Sequence, residues 1–179
     1  MKVLVIVAHP NLEQSRVNKT WVNRLSQEEN ITVHHLYAAY PDWNIDVEKE
    51  QQLLLEHDRI VFQFPLYWYS TPALLKQWQD VVLTYGWAYG SEGNKLHGKE
   101  FVLAISTGGP ASSYQAGGYN HYSMSEITRP LQAMANLTGM HFLPSFIVYG
   151  VRNLTDEQLQ ESAEQLVKHI TNPLLRLGR

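Results

Sequence analysis

The sequence predicts an α/β fold: a three-layer sandwich with five parallel strands between two layers of helices, in one domain spanning residues 1–179. Two observations lead there. Short β-branched or apolar runs alternate from end to end with segments whose apolar residues recur at helical spacing, and right-handed crossovers join such a pattern into a parallel sheet. No repeat, low-complexity tract or Ser/Pro-rich linker interrupts the alternation, so nothing marks a domain boundary. The 179 residues are enough for a sizeable core.

The elements follow in order. Val3 to Val7 is a continuous β-branched-rich run, expected of a strand covered on both faces. Residues 16 to about 28 read as a helix, and Ile31 to Tyr37 alternates as a strand nearer a sheet edge. Asp46 can cap a helix running to about Glu56, and Arg59 to Phe64 is the third strand. Thr71-Pro72 supplies an N-cap and a proline at the first helical position. The apolar stripe of that helix is Leu74, Leu75, Trp78, Val81, Val82 and Tyr85. Phe101 to Ile105 is the fourth strand, a Gly-rich loop runs from Thr107 to Tyr122, and a helix follows from about Ser125 to Thr138. Phe142 to Tyr149 is the fifth strand, with Pro144 near its start. Thr155 to Gln158 is a capping box whose helix buries Leu159, Ala163, Leu166, Val167, Ile170 and Leu174.

Composition narrows the function. The chain is 44% hydrophobic and 17% charged with a net charge of −3, and it has no basic run to hold nucleic acid. It contains no cysteine, which excludes disulfides and thiol catalysis and suits a reducing compartment. The apolar run at the N-terminus is too short for a signal peptide, no stretch approaches the length of a membrane span, and a cytoplasmic protein is expected. The histidines share no metal-ligand spacing with carboxylates, so no metal site is expected.

In parallel sheets of this kind, ligands bind beyond the carboxyl ends of the strands, at the switch in strand order. In the order 2-1-3-4-5, the loops 8–18, 65–71 and 106–122 follow neighbouring strands and converge on one crevice. In the first loop, a helix starting near Ser15 aims free N–H groups and its positive dipole end at whatever lies above strand one, a natural place for a phosphate. Ser15 and Asn18 can donate hydrogen bonds there, and His9 and Arg16 can supply positive charge; the same residues also suit a plain helix cap and turn. No G-x-G-x-x-G, P-loop or G-x-S-x-G pattern is present, which weakens the dinucleotide-fingerprint, ATP and hydrolase alternatives.

The second loop runs Phe64-Pro65-Leu66-Tyr67-Trp68-Tyr69-Ser70. Its consecutive aromatics have no core face to fill, and with backbone N–H groups beside them they suit a flat ring system or, alternatively, a dimer contact. The third begins Ser106-Thr107-Gly108-Gly109, where glycines let the backbone approach a ligand. Tyr114, Asn120 and His121 follow, offering groups to hydrogen-bond or protonate a developing oxyanion.

At these residues the sequence resembles the flavodoxin-like NAD(P)H:quinone oxidoreductases. The matching pieces are His9-Pro10 to Asn18, Phe64 to Lys76, Gly86-Trp87-Ala88-Tyr89-Gly90 and Thr107-Gly108-Gly109, and the likeness covers nearly the whole chain. It is nearest to short bacterial members, which include general stress proteins and ancillary proteins of glutathione-regulated potassium efflux systems. The resemblance implies a flavin whose phosphate meets His9 and Ser15, Arg16, Val17 and Asn18, with its rings on Pro65, Leu66, Tyr67 and Trp68 and on Ser106, Thr107, Gly108 and Gly109. It also implies a homodimer with the active site at the subunit interface. The implied reaction is two-electron, ping-pong hydride transfer from NADH or NADPH to a quinone-type acceptor. Tyr114 corresponds to a catalytic tyrosine, and the family's catalytic histidine falls at Asn120 or His121. Because the chain stops at Arg179, directly after the last helix, FMN is expected rather than FAD. Two alternatives stand beside this reading: a flavin-binding regulatory subunit of a potassium efflux transporter, and an azo- or nitroreductase.

Overall fold

The computed structural model describes residues 1–177; Gly178 and Arg179, the end of the span assigned to the domain, lie outside the described residues. One sheet holds β1 (Val3–Val7), β2 (Ile31–His35), β3 (Arg59–Pro65), β4 (Glu100–Ser106), β5 (His141–Phe142) and β6 (Phe146–Val148). All pairings are parallel, in the order β2-β1-β3-β4-β5, with β6 also beside β4. The helices are α1 (Arg16–Leu25), α2 (Leu36–Ala39), α3 (Val47–Leu55), α4 (Ala73–Val82), α5 (Met124–Ile127), α6 (Arg129–Leu137) and α7 (Asp156–Thr171).

Side chains alternate across a strand, so each central strand feeds two cores. Val3, Val5, Val7, Val61, Val102 and Ala104 meet Trp21 and Leu25 of α1 and Leu159, Ala163, Leu166 and Ile170 of α7. On the other face Leu4, Ile6, Ile60, Phe62, Phe64, Phe101, Leu103 and Ile105 meet Leu54 of α3, Leu74, Leu75 and Trp78 of α4, and Met124 and Leu131. Both faces of β1 are therefore buried, which is why its run is apolar at every position.

The departures from the sequence expectations have local causes. The fifth strand is broken into β5 and β6, so the sheet has six strands rather than five. Phe101 pairs with Phe142 but Ala104 pairs with Phe146, so this edge carries one extra residue, a bulge around Pro144, which has no N–H for the ladder. The helix expected over 125–138 divides at Thr128, because Pro130 cannot donate to the carbonyl of Glu126. Its true start is a capping box between Ser123 and Glu126. Thr71 does not cap α4: Pro72 holds the cap position, and the Leu74 N–H donates to the Tyr37 hydroxyl at 3.2 Å. Strand two ends at His35 and turns into α2, and α1 stops at Leu25. Tyr85 and Leu174, expected to be buried, are exposed.

Candidate functional site

Above the carboxyl ends of β3 and β4 lies an open cavity of about 570 Å³, within the range of small-molecule sites. Leu66, Trp68 and Tyr69 from the loop after β3 form one wall. Thr107, Gly108, Gly109, Ser113, Tyr114, Tyr119 and Asn120 from the loop after β4 form the other, and Arg152 closes the side.

The first wall is a tight hairpin. Tyr67 and Ser70 exchange backbone hydrogen bonds of 3.0 and 2.9 Å, which leaves Trp68 and Tyr69 as a two-residue turn. Both have positive φ, 47° and 62°, the geometry of a type I′ turn that Asn-Gly normally fills. Holding bulky aromatics there costs on the order of 1–3 kcal/mol each. Trp68 is 93% exposed and Tyr69 52%, so strain and exposure coincide at the cavity mouth. The Tyr69 hydroxyl donates to Asn120 Oδ1 at 3.1 Å, bracing one wall against the other. Tyr67 stands edge-on to His9 with ring centroids 6.3 Å apart, and partial burial pushes its phenol above its ordinary pKa.

The second wall is stitched to the strand edge beside it. Thr107 N–H donates to Val148, Gly150 N–H to Gly109 and Val151 N–H to Thr107, at 2.9–3.2 Å. The N–H groups of Gly108 and Gly109 have no partner among the described residues and remain free for a ligand. A Cβ at Gly109 would stand 3.1 Å from the Tyr114 ring, so glycine there admits the tyrosine as well as a ligand. The Tyr114 hydroxyl lies 2.5 Å from Thr107 Oγ1, and its ring leans on Tyr149 with centroids 5.5 Å apart.

Of the residues singled out from the sequence, the cavity gathers Leu66, Trp68, Thr107, Gly108, Gly109 and Tyr114. His121 is not among its lining residues: its backbone is left-handed, φ 64°, and its predecessor Asn120 reaches the wall instead. The loop after β1 adjoins the cavity without lining it, and this qualifies the single crevice expected from three loops. Ser15 caps α1 by accepting from Asn18 N–H at 3.0 Å, and the first-turn N–H groups of Arg16 and Val17 lie ahead of the helical ladder. The Val17 side chain is buried in the core, so only its N–H can serve a ligand.

The Asn18 side chain is 2% exposed and acts as a tie, donating to Ser106 Oγ at 3.0 Å and accepting from Gln63 Nε2 at 3.3 Å. This arrangement, rather than an open donor to phosphate, is what Asn18 and Ser106 provide. Arg16 is likewise engaged elsewhere: it donates to Leu154 O and pairs with Asp156, both at 2.9 Å. His9 Nδ1 accepts the Asn11 N–H at 2.9 Å, and burial lowers its pKa. With Nδ1 accepting, the neutral ring carries its proton on Nε2, and burial favours that form. Pro65 ends β3 in register with Ser106, under both walls.

Arg152 was missed by sequence reasoning. Its signal was a basic residue two positions after Gly150, at the carboxyl end of the last strand, where the crevice rule applies. Among the described residues no cluster of His, Asp and Glu could hold a metal ion, and no helix is long and apolar enough to cross a membrane.

Order β2-β1-β3-β4-β5, helices on both faces and a ligand-sized cavity at the carboxyl ends define a parallel α/β protein of flavodoxin-like topology. A family profile described as flavodoxin-like fold matches residues 1–170, and the chain belongs to that family. It is similar to the uncharacterized NAD(P)H oxidoreductase YrkL of Bacillus subtilis, 64% identical over 95% of this chain and 98% of that one. It is also similar to the glutathione-regulated potassium-efflux system ancillary protein KefG of Serratia proteamaculans, 46% identical over 99% and 97%. Among solved structures, general stress protein 14 of Treponema denticola in complex with FMN superposes with TM-score 0.90, at 43% identity, over 93% of this chain and 96% of that one. An NADPH-quinone reductase from P. pentosaceus superposes with TM-score 0.88, at 40% identity, over 96% and 99%.

Proposed function

We propose that the chain binds FMN and catalyses two-electron, ping-pong reduction of quinone-type acceptors by NADH or NADPH. The observation that carries this is the donor set of the cavity: unclaimed Gly108 and Gly109 N–H groups face a strained, exposed aromatic hairpin, with no carboxylate in the lining. A flat ring with hydrogen-bond acceptors along its edge fits those groups. The first-turn N–H groups of α1 and the Ser15 hydroxyl suit the FMN phosphate, while Trp68 and Leu66 suit the ring faces. The FMN complex of the Treponema relative and the NAD(P)H and quinone reductase descriptions of YrkL and the P. pentosaceus protein support the assignment.

A bound flavin supplies hydride acceptance and release; the chain's residues orient and polarise. Trp68 and Tyr69 stand at the cavity mouth, where they would flank nicotinamide and acceptor rings that take turns over the flavin. Tyr114 directs its hydroxyl along the wall, held by Thr107 Oγ1, to hydrogen-bond an acceptor oxygen as it gains negative charge. Asn120, braced by Tyr69, adds an amide donor but no ionisable proton, and Tyr114, fixed by Thr107, is the hydroxyl we assign as proton source on this wall. The exposed Trp68, Tyr69 and Tyr119 would be covered in a homodimer that closes the cavity mouth. A cysteine-free chain suits action in the reducing cytoplasm.

The test is a visible spectrum of the purified protein after loading with FMN or FAD, followed by bleaching with NADH and NADPH and reoxidation by quinone, azo and nitro acceptors. FMN binding, bleaching and quinone-dependent recovery are expected; a protein without flavin affinity would overturn the reading. The similarity to KefG supports a second reading, an ancillary subunit of a potassium efflux system, in which flavin binding governs association with a transporter. A flux effect that survives loss of hydride transfer would favour it.

A further inference from the structure

The positive charge expected at this site from the sequence is engaged elsewhere: Arg16 is paired with Asp156, and His9 is neutral. Among the described residues, one cation lines the cavity. Arg152 has no ion pair and no hydrogen-bond partner among the described residues, and no Asp or Glu lines the cavity to neutralise it. Asp156, four residues further on, is held by Arg16.

The position of Arg152 is set by the fold. The Gly150 and Val151 N–H groups bind Gly109 O and Thr107 O at 2.9 and 3.2 Å, which pins the start of the segment to the opposite loop. Gly150 takes a left-handed φ of 61° to make that turn. The guanidinium then lies over Gly108: its Nε, Cζ and Nη2 atoms stand 3.5, 3.7 and 3.8 Å from the point a Cβ on Gly108 would occupy. Its fork thus sits beside Gly108, in the same cavity lining as Gly109 and Trp68. A flat aromatic face, free N–H donors and one uncompensated guanidinium match a planar ring that carries an anionic substituent.

We propose that Arg152 is a specificity-determining residue that selects acceptors bearing an anionic group, such as a sulfonate or carboxylate, on a quinone-type ring. The proposal rests on the reading of this cavity as the place where FMN is held and acceptors approach it, with Arg152 at its side. The guanidinium meets the substituent while the ring lies beside the aromatic hairpin, and the pairing is partly exposed, so its strength falls with ionic strength.

The experiment uses FMN-loaded protein and compares 1,4-naphthoquinone-2-sulfonate with uncharged 1,4-naphthoquinone. Binding is read by quenching of tryptophan fluorescence, and turnover is read separately. The readout is the ratio of the two affinities, so general damage to the cavity cancels. Arg152→Gln should lower the preference for the sulfonate about fivefold, the worth of one partly exposed charge-assisted pair. Arg152→Lys should retain part of it, and raised salt should shrink it in the wild type. An unchanged ratio in Arg152→Gln overturns the proposal. So does a loss of FMN affinity with an unchanged ratio, which would assign the guanidinium to the cofactor's own phosphate. A preference that is present and lost on substitution, without any wild-type turnover, would sink the reductase reading and leave the anion site standing.

Discussion

At the amino ends of the strands buried side chains tie the helices to the sheet, whereas at the carboxyl ends, above the buried Asn18–Ser106–Gln63 tie, the loop donors are left open. Arg59, fully buried at the start of β3, donates through Nε to Glu100 Oε2 at 2.8 Å and through Nη1 to Ile170 O and Asn172 O at 2.7 and 3.0 Å, closing the end of α7. Lys99 Nζ donates to Leu55 O and His57 O at 3.2 and 2.6 Å, closing the end of α3. His57 is held between Leu53 O and Thr32 Oγ1. At the opposite end, the N–H groups of Gly108 and Gly109 and the Arg152 guanidinium have no partner among the described residues, and two exposed aromatics occupy a strained turn. One end spends its hydrogen bonds on holding helices to the sheet. The other keeps them available, which is stable only because the first end and the two cores hold the scaffold.

The largest effect is expected at the amino end. Arg59→Met should lower stability by about 3–5 kcal/mol, because Glu100 and two helix-end carbonyls lose a buried partner. Urea unfolding measures it, and a loss below about 1 kcal/mol would mean that this end does not hold the fold.

The next effect is at the sheet edge, where Glu50 of α3 accepts from His34 Nε2, the Tyr40 hydroxyl and Trp78 Nε1 at 2.7, 2.8 and 2.9 Å. Burial opposes its ionisation, but these donors outweigh it and hold the carboxyl below its usual 4.5. The native state thus binds a proton less readily than the unfolded chain. The stabilisation is complete above about pH 4.5 and declines as pH falls through the lower native value. Glu50→Gln should cost about 1–3 kcal/mol near neutrality and flatten that acid limb, read from unfolding midpoints at several pH values.

At the carboxyl end the effects on stability are smaller, and those on ligand binding larger. Ser15→Ala removes the cap of α1, worth about 1 kcal/mol, and should weaken FMN binding severalfold in a fluorescence titration. Unchanged FMN affinity would remove the α1 terminus from the phosphate site. The smallest effect has the opposite sign: replacing Trp68-Tyr69 by Asn-Gly relieves the left-handed strain and should raise stability by about 1 kcal/mol while weakening FMN and acceptor binding. A variant that gains stability and keeps full affinity would show that the aromatic hairpin serves packing alone.

The sheet was legible because its signals are local. Val3 to Val7 and Phe101 to Ile105 announce doubly covered strands, and Thr155 to Gln158 announces a helix start through contacts three residues apart. The crevice loops were legible because strand order fixes where they must lie. The departures fell where a distant partner or a loop dihedral decided the outcome. Thr71 lost its capping role when Tyr37 supplied the hydroxyl, and Arg16 was drawn from the cavity by Asp156, 140 residues away in sequence. His121 gave way to Asn120 because loop dihedrals, not composition, aim a side chain.

By itself the sequence determined the alternation of strands and helices, the fold family, and the loops that lie beyond the carboxyl ends of the strands, since periodicity, capping and turn chemistry act over a few residues. Tertiary structure alone decided which residues of those loops face the cavity, that Asn18 and Arg16 are tied into the scaffold, and that Arg152 is the charge left free. Those outcomes depend on pairings between chain segments far apart in sequence and on backbone dihedrals in loops, which no local pattern encodes.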